Sequence, residues 1–468
     1  MSLSKGRNEY PEAEVYKPAD SSWQGQAQHG VPLYPEEEPF RPPLGRFRVA
    51  GYQDLWAALL FLAAVSVTIG FGSVNMYNFF RTHPMRYESG RSEIKPMIIL
   101  PVFGACVASG LGVLLILRHC ARQVIIFGNV AAICLILLSA AMAFSSDAAA
   151  LGVVLLVLAF LHALWFYFAW HRIPFSAALL KASTDLVCRY KAIVLCVFLV
   201  CGFSFLYVIL WCFMVQPLFD QKNGQPDTWN CLFLVLSVLS MFWVAQVCPN
   251  VMHVTTAGVT ATWYFAGESD MPSNPTAASF KRSVTTSFGS ICFGSLIVAF
   301  IRFLRWVVEN FSRNDDEFLR CIVSCILSCI QGMAEYFNTY AFVHVAIYGC
   351  GYLEAAKKTW DLCKRCLYAA YFNDNLVGTT VQIICLTASV AIGIGTYCFT
   401  GDTTHSIIAF SISVVVHVLF VSPVESAVVT YFVCFAEVPE GLSQSAPELY
   451  NTLVALDQNA TRNNAAAV

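Results

Sequence analysis

The chain is predicted to be an all-α, polytopic membrane protein with ten transmembrane helices. Only 12% of its 468 residues are charged, whereas soluble domains average about 25%. Hydrophobic residues make up 57% of the chain, and they gather in long stretches that are nearly free of charge. This composition argues against a soluble globular protein, a disordered chain and a nucleic-acid binder with a basic face.

Ten apolar stretches are long enough to cross a bilayer as helices. The hydrocarbon core is about 30 Å thick, and about 20 mostly apolar residues in a helix span it. A transmembrane β-barrel would show short segments of alternating polarity instead. The predicted spans are 55–79, 97–117, 123–144, 148–170, 192–215, 231–250, 283–301, 321–351, 376–399 and 406–434.

Both ends of the chain differ from this membrane domain, which we place at 54–439. Residues 1–53 hold seven of the 19 prolines and an acidic cluster, so they are predicted to form a disordered cytosolic tail. They lack the early apolar run of a cleaved signal peptide. Residues 440–468 are polar and rich in Asn and Ala, and they are predicted to form a second cytosolic tail.

The distribution of Lys and Arg predicts that both termini lie in the cytosol. With that orientation, fifteen basic residues fall on cytosolic segments and nine on the opposite side. The segment 302–320 is the exception, because it places four arginines outside. It also carries a glycosylation sequon at Asn310, which is typical of an external loop. We expect the plasma membrane as the location, with an organelle membrane as the alternative.

The 19 cysteines predict neither a disulfide framework nor a metal site. Nearly all lie in apolar stretches or at their cytosolic ends. Cys321, Cys325 and Cys329 recur every four residues and could bind a soft metal, but such cysteines more often act as small apolar packing residues. Cys363 and Cys366 form a single Cys-x-x-Cys pair, which is a weak zinc or redox signal. We therefore predict no cofactor.

Two acids, Glu335 and Glu425, lie inside the predicted spans. A charge at the centre of a membrane helix costs about 2.5–3.5 kcal/mol, so each acid is a candidate functional residue. A structural ion pair is the alternative for each. Histidines such as His253 and His417 also fall in or beside spans, where they can relay protons or hydrogen-bond a neighbour. No histidine motif or metal cluster indicates an enzyme.

Aromatic residues make up 14% of the chain. At span ends, Trp and Tyr commonly form the interfacial belt. Facing a cavity, they can bind a quaternary ammonium group through cation–π contacts, because that group has no N–H to donate. The stretch 231–265 is too long for one straight span, and we expect Pro249 to break it. Broken helices tend to line substrate paths, so Trp243, Trp263 and Tyr264 are placed near the path or its cytosolic mouth.

Four motifs occur in the order and at the spacing of a known family. They are AGVTATWYF at 257–265, FGSICFGSLI at 288–297, NTYAFVHVAIYG at 338–349, and Glu425 followed by FVCFAE at 432–437. Over residues 50–440 the chain resembles the choline transporter-like family. The short predicted loop at 81–96 is similar to that of the fungal, plant and protist branch, which includes the fungal pH-nine-sensitive proteins.

The resemblance implies a ten-helix choline transporter-like fold and transport of choline or a related amine such as ethanolamine. The partners would be this small cation and the lipid bilayer, with no nucleic acid. Alternating access would move the amine along an aromatic-lined path, either down its gradient or in exchange for protons. A non-transporting or regulatory membrane protein of the same fold is the alternative.

The resemblance also assigns candidate site residues. Tyr336 and Asn338 match a Tyr and an Asn near the family's substrate path. The family pattern Asn-x-Asn-Ala-Tyr reads Asn-Thr-Tyr-Ala-Phe at 338–342, which keeps an aromatic wall but loses an amide and a hydroxyl. Glu425 matches a Glu of the family's last helix. The predicted substrate-binding residues are Tyr336, Asn338, Tyr340, Trp263, Tyr264, Trp243 and Glu335, and the predicted coupling or gating residues are Glu425 and His417.

The small residues of the second motif predict a close helix–helix contact. Glycine and serine side chains let two helix backbones approach within a membrane, where small residues gather at helix interfaces. Close contacts of this kind also permit sliding or rocking during alternating access. The residues concerned are Gly289, Ser290, Gly294 and Ser295.

Overall fold

A computed structural model describes residues 51–82, 96–146, 148–219, 228–311 and 317–466. All regular secondary structure in these ranges is helical, and the predicted disordered tail lies outside them except for residues 51–53. The helices are α1 (Leu55–Thr82), α2 (Pro96–Ser145), α3 (Ala149–Ala169), α4 (Ile173–Arg189), α5 (Ala192–Phe219), α6 (Thr228–Ala266), α7 (Pro275–Val284), α8 (Phe288–Phe311), α9 (Glu317–Tyr348), α10 (Tyr352–Thr400), α11 (Thr403–Glu437), α12 (Glu440–Ser445) and α13 (Pro447–Ala466).

Nine segments of the described chain are long and apolar enough to cross a membrane. One of them, Leu100–Ser145 in α2, covers two of the ten predicted spans, those at 97–117 and 123–144. Between them the backbone leaves helical geometry at Cys120, where φ is −123° and ψ is 28°. The ten predicted spans therefore fall on nine helical segments.

Cys120 divides α2 into two halves. The neighbours of these halves show that both reach the same level of the bundle. A Cβ atom on Gly110 would collide with the ring of Phe420, and one on Gly128 would collide with the backbone of Thr380. Phe420 and Thr380 lie at similar distances along α11 and α10 from the turn that joins these two helices. A straight helix would instead separate residues 110 and 128 by about 27 Å along its axis.

We call the inner end of the bundle the end that holds the starts of α1, α8 and α10 and the ends of α6, α9 and α11. Asp54 ties three of these helix ends together. Its carboxylate accepts hydrogen bonds from Ser290 Oγ at 2.8 Å and from the backbone N–H of Tyr352 at 2.7 Å. A Cβ atom on Gly289 would collide with the backbone oxygens of Gln53 and Asp54, so only glycine permits this approach.

Short helices cover the inner end. The segment 440–468, predicted to be a polar tail, forms α12 and α13 up to Ala466 in the described chain. Ser445 Oγ donates a hydrogen bond to the carbonyl oxygen of Tyr264 at 2.7 Å, which attaches α12 to the end of α6. Arg172 forms an ion pair with Asp457 of α13 at 3.2 Å. The described part of this segment is thus packed against the bundle.

The predicted break in α6 at Pro249 is wrong. The helix continues through Pro249 and ends at Ala266. A proline inside a helix removes one backbone hydrogen bond, and contacts of α6 with α8, α9 and α11 hold the remaining turns in register. At about 1.5 Å per residue, the 39 residues of α6 are longer than the bilayer is thick, so the helix extends past the hydrocarbon region.

The predicted external loop at 302–320 is largely helical, because α8 and α9 extend into it from both sides. Arg302 on α8 forms an ion pair with Glu335 on α9, with 2.7 Å between nitrogen and oxygen. Arg305, one turn further along, donates a hydrogen bond to Gln331 at 3.2 Å. These arginines are therefore helix residues with polar partners, which accounts for two of the basic residues on the predicted outer side.

Candidate functional site

Two of the predicted site residues, Tyr336 and Tyr340, lie one turn apart on the same face of α9. Their ring centroids are 5.2 Å apart, and Tyr336 OH donates to Tyr340 OH at 3.5 Å. Tyr340 is buried and packs edge-on against Phe432 of α11. The two rings form an aromatic wall between α9, α10 and α11.

The hydroxyl of Tyr340 donates a hydrogen bond to Asp374 Oδ2 of α10. The other carboxylate oxygen, Oδ1, is buried and has no hydrogen-bond partner among the described residues. Asp374 was not among the predicted site residues, because the ninth span was predicted to begin at residue 376. The apolar segment of α10 begins instead at Ala369, which places Asp374 within it.

A second carboxylate, that of Glu425, belongs to α11, which packs against α10, the helix that carries Asp374. Glu425 forms no ion pair with any basic residue in the part of the chain that the structure describes. Within the described ranges, neither Asp374 nor Glu425 thus has a basic ion-pair partner.

His253 on α6 fixes the spacing of the helices that carry these groups. Its Nε2–H donates to the carbonyl oxygen of Thr339 on α9 at 2.8 Å. Its Nδ1 lies 2.9 Å from the hydroxyl oxygen of Ser426 on α11. Thr339 and Ser426 are the immediate neighbours of Tyr340 and Glu425, so this histidine links the two sides of the site.

The side chains of Asn338 and Glu335 point away from the cluster around Asp374. Asn338 lies on the opposite face of α9, where its Nδ2 donates to the carbonyl oxygen of Gly294 at 2.8 Å and its Oδ1 accepts from Tyr352. Burial raises the pKa of Tyr352 to about 12, so its hydroxyl keeps the proton that it donates. Glu335 faces α8 and pairs with Arg302. Both residues hold helices together in this conformation.

Three other predicted site residues also lie apart from the cluster. Trp243 is buried against α1 and α8, and its indole N–H donates to the carbonyl oxygen of Cys292 at 3.0 Å. Tyr264 lies at the inner end, where its hydroxyl donates to the carbonyl oxygen of Val438 at 3.0 Å. His417 joins α11 to α2, since its Nε2 lies 2.9 Å from Ser109 Oγ.

Trp263 occupies a position of its own at the inner end. Its ring packs edge-on against Tyr431 of α11, with 5.9 Å between centroids. It lines a cavity between α4, α6, α11 and α13 rather than the cluster around Asp374. The substrate path on which Trp263 was predicted to lie stays a prediction.

The chemistry of the cluster around Asp374 suits a cation. Asp374 and Glu425 supply carboxylates, and Asp374 Oδ1 has no hydrogen-bond partner in the part of the chain that the structure describes. The faces of Tyr336 and Tyr340 supply the electron-rich surfaces on which a quaternary ammonium group binds without donating hydrogen bonds. Among the described residues, no group of three His, Cys, Asp or Glu side chains is arranged to hold a metal ion.

The fold and this cluster together define a helical, multi-pass membrane protein with a buried polar site. Comparison with known protein families shows which class of membrane protein this is. The sequence model of the family described as plasma-membrane choline transporter matches residues 153–440. The chain belongs to this family, as its four motifs predict.

Individual relatives agree with the family assignment. The chain is 34% identical over 310 residues to a CTL-like protein of Dictyostelium discoideum, an alignment that covers 64% of this chain and 55% of that protein. It is 33% identical over 335 residues to the protein PNS1 of Gibberella zeae, covering 65% and 62%. A PNS1 protein of Debaryomyces hansenii is 28% identical over 84% of this chain and 81% of its own length. The first two alignments thus span less than two thirds of those relatives.

Proposed function

We propose that this protein transports choline or a related organic amine across its membrane by alternating access. The observation that carries the proposal is the cluster of Tyr336, Tyr340, Asp374 and Glu425 between α9, α10 and α11. A methylated ammonium group would lie against the two rings and close to the carboxylates. The match to the plasma-membrane choline transporter family supports the substrate class.

The two carboxylates also suggest how transport could be coupled. Two neighbouring negative charges in a site of low polarity repel each other, and a proton on one of them relieves that repulsion. A bound amine would supply a positive charge in place of the proton. Exchange of an amine for a proton at Asp374 and Glu425 is therefore our proposal for coupling, in place of simple movement down the amine gradient.

Location and orientation follow from the same proposal. We place the protein in the plasma membrane with both termini in the cytosol, so that the inner end faces the cytosol. The excess of Lys and Arg on the segments of that side supports this orientation. The membrane domain then extends over 54–439, and the amine enters or leaves the cytosol past the inner end.

Uptake of labelled choline by cells that express the chain tests the function. We expect Asp374→Asn to lower uptake at least tenfold, because a contact with a charged group is worth about 1.5–3 kcal/mol and 1.4 kcal/mol corresponds to a factor of ten. Asp361→Asn is the matched control, since Asp361 lies on the same helix, is 67% exposed and forms a surface ion pair with Lys364. Surface labelling must show equal amounts of each variant.

Two results would overturn the proposal. One is uptake no higher than in cells without the protein, for choline, ethanolamine and their methylated intermediates alike. That outcome favours the non-transporting, regulatory protein of the same fold. The other is full uptake by Asp374→Asn. The protein would then still be a transporter, but Asp374 would not belong to its substrate site.

A further inference from the structure

A cavity of about 740 Å³ lies at the inner end of the bundle. Its walls come from α4, α6, α11 and α13, and none of its lining residues belongs to the cluster around Asp374. Its volume falls within the range of small-molecule sites, which is about 300–1,000 Å³. The lining residues that matter for its chemistry are Lys181, Asp185, Trp263, Tyr431 and Glu448.

Tyr431 gives the first indication of a ligand. Its side chain is 1% exposed and lines the cavity, yet its hydroxyl has no hydrogen-bond partner among the described residues. Buried polar groups in native proteins nearly always have a partner, and an unmade hydrogen bond is costly. An oxygen atom of a ligand in this cavity would accept the hydrogen bond that Tyr431 offers.

The aromatic rings give the second indication. Trp263 and Tyr431 meet at 74°, with 5.9 Å between their centroids. Because Tyr431 is only 1% exposed, the ring of Trp263 is the one in this edge-on pair that offers aromatic surface at a corner of the cavity. Trp is the strongest cation–π partner among the aromatic side chains, so this corner suits a methylated ammonium group.

Charges of both signs surround this corner. Lys181, Asp185 and Arg189 recur every four residues along α4 and share one face of that helix. Asp185 pairs with Arg118 at 2.6 Å, and Arg189 pairs with Glu268.

Lys181 has no ion-pair partner among the described side chains and lies beside the cavity. Glu448 contributes a carboxylate from α13. A ligand with a single charge could pair with Lys181 or with Glu448, but not with both.

We propose that this cavity binds a zwitterion in which a methylated ammonium group is joined to a phosphate. The ammonium group lies against the ring of Trp263 at this corner, near the carboxylates of Asp185 and Glu448. The phosphate accepts hydrogen bonds from Lys181 and from the Tyr431 hydroxyl. Such a group occurs in a free solute and in a phospholipid headgroup, and both share this chemistry.

Equilibrium binding of labelled phosphocholine to the purified full chain tests the proposal. The chain is reconstituted in nanodiscs that contain no choline lipid. We expect phosphocholine to bind at least tenfold more tightly than choline or inorganic phosphate. Trp263→Ala and Lys181→Gln should each weaken binding at least tenfold, and Trp263→Phe should restore most of the loss because it keeps an aromatic face.

Matched variants separate this cavity from the rest of the molecule. Trp360→Ala and Lys281→Gln remove an exposed tryptophan and an exposed lysine elsewhere, and they should bind phosphocholine as the wild type does. Asp374→Asn should also bind normally, although it is expected to lose choline uptake. A failure of the cavity and a failure of the transport site are therefore distinguishable.

Competition by dihexanoyl phosphatidylcholine identifies the natural source of the ligand. Displacement at lower concentration than free phosphocholine points to a lipid headgroup, and weaker displacement points to a solute, and either result supports the site. Phosphocholine that binds no more tightly than choline and phosphate would overturn the proposal. So would unchanged binding by folded Trp263→Ala and Lys181→Gln variants.

Discussion

At the scale of single residues, Tyr340 joins the two parts of the proposed transport site. Its ring belongs to the aromatic wall, and its hydroxyl donates to Asp374. The sequence identifies Tyr340 because it replaces an Asn in a family pattern. It does not identify Asp374, because an acid at the edge of an apolar stretch resembles a loop residue until the helix boundary is known.

Tyr340→Phe tests the hydroxyl separately from the ring. Phenylalanine keeps the aromatic face and removes the donor to Asp374, so the carboxylate loses the group that orients it. We expect the KM for choline to rise about tenfold, since one hydrogen bond to a charged group is worth about 1.5–3 kcal/mol. The concentration dependence of uptake measures it, with Tyr397→Phe, an exposed tyrosine of α10, as control. An unchanged KM would show that the hydroxyl does not act on the substrate.

Asn338 is predicted to bind substrate but has structural partners in this conformation. Asn338→Ala would leave the Gly294 carbonyl and the Tyr352 hydroxyl without their shared partner. We expect stability to fall by about 1–3 kcal/mol and uptake per folded molecule to stay close to wild type. Thermal unfolding of detergent-solubilised protein gives the stability.

Asn375→Ala is the control for this change, because the Asn375 amide donates its hydrogen bond to the backbone of its own helix, at Tyr371. A stable Asn338→Ala protein that has lost uptake would instead show that Asn338 acts in substrate binding.

At the scale of helices, small residues set the contact between α1 and α8. The sequence predicts close packing at Gly289, Ser290, Gly294 and Ser295, and the structure shows what each type of residue permits. Gly289 lets the backbone before α1 reach α8, and Ser290 binds Asp54 there. The partner helices could not be predicted, because small residues indicate a contact but not its other side.

Gly289→Ala is expected to destabilise the protein by about 1–3 kcal/mol, the usual cost of overpacking. The new methyl group would collide with the backbone oxygens of Gln53 and Asp54, which cannot rotate away. The amount of folded protein after size-exclusion chromatography measures the effect. Gly104→Ala is the matched control, because nothing lies within 4 Å of a Cβ atom at that helical glycine. Equal yields from both variants would contradict this account of the contact.

At the scale of the whole molecule, the apolar stretches predict the helices well, because the bilayer sets their length. They do not predict the continuous α6, since a proline signals a break only where tertiary contacts fail to hold the helix. Nor do they predict that α12 and α13 pack on the bundle. Polar surface helices and disordered tails have similar composition, and the contacts of Arg172 and Ser445 that distinguish them are long-range.

The predicted orientation requires that both termini face the cytosol. Epitope tags fused to either end should be inaccessible to antibodies in intact cells and become accessible after permeabilisation. Staining of either tag in intact cells would contradict the orientation. It would also place the cavity beneath α4 on the outer side of the membrane, where the proposed phosphate zwitterion would come from the external medium.

In the proposed transport site, an organic cation binds between α9, α10 and α11. An experimental structure of the full chain with bound choline would show where the cation lies. We predict that the ammonium nitrogen lies within about 6 Å of the ring centroids of Tyr336 and Tyr340 and faces the carboxylate of Asp374. Choline bound only elsewhere, with this cluster closed or occupied by neighbouring side chains, would rule out the proposed site.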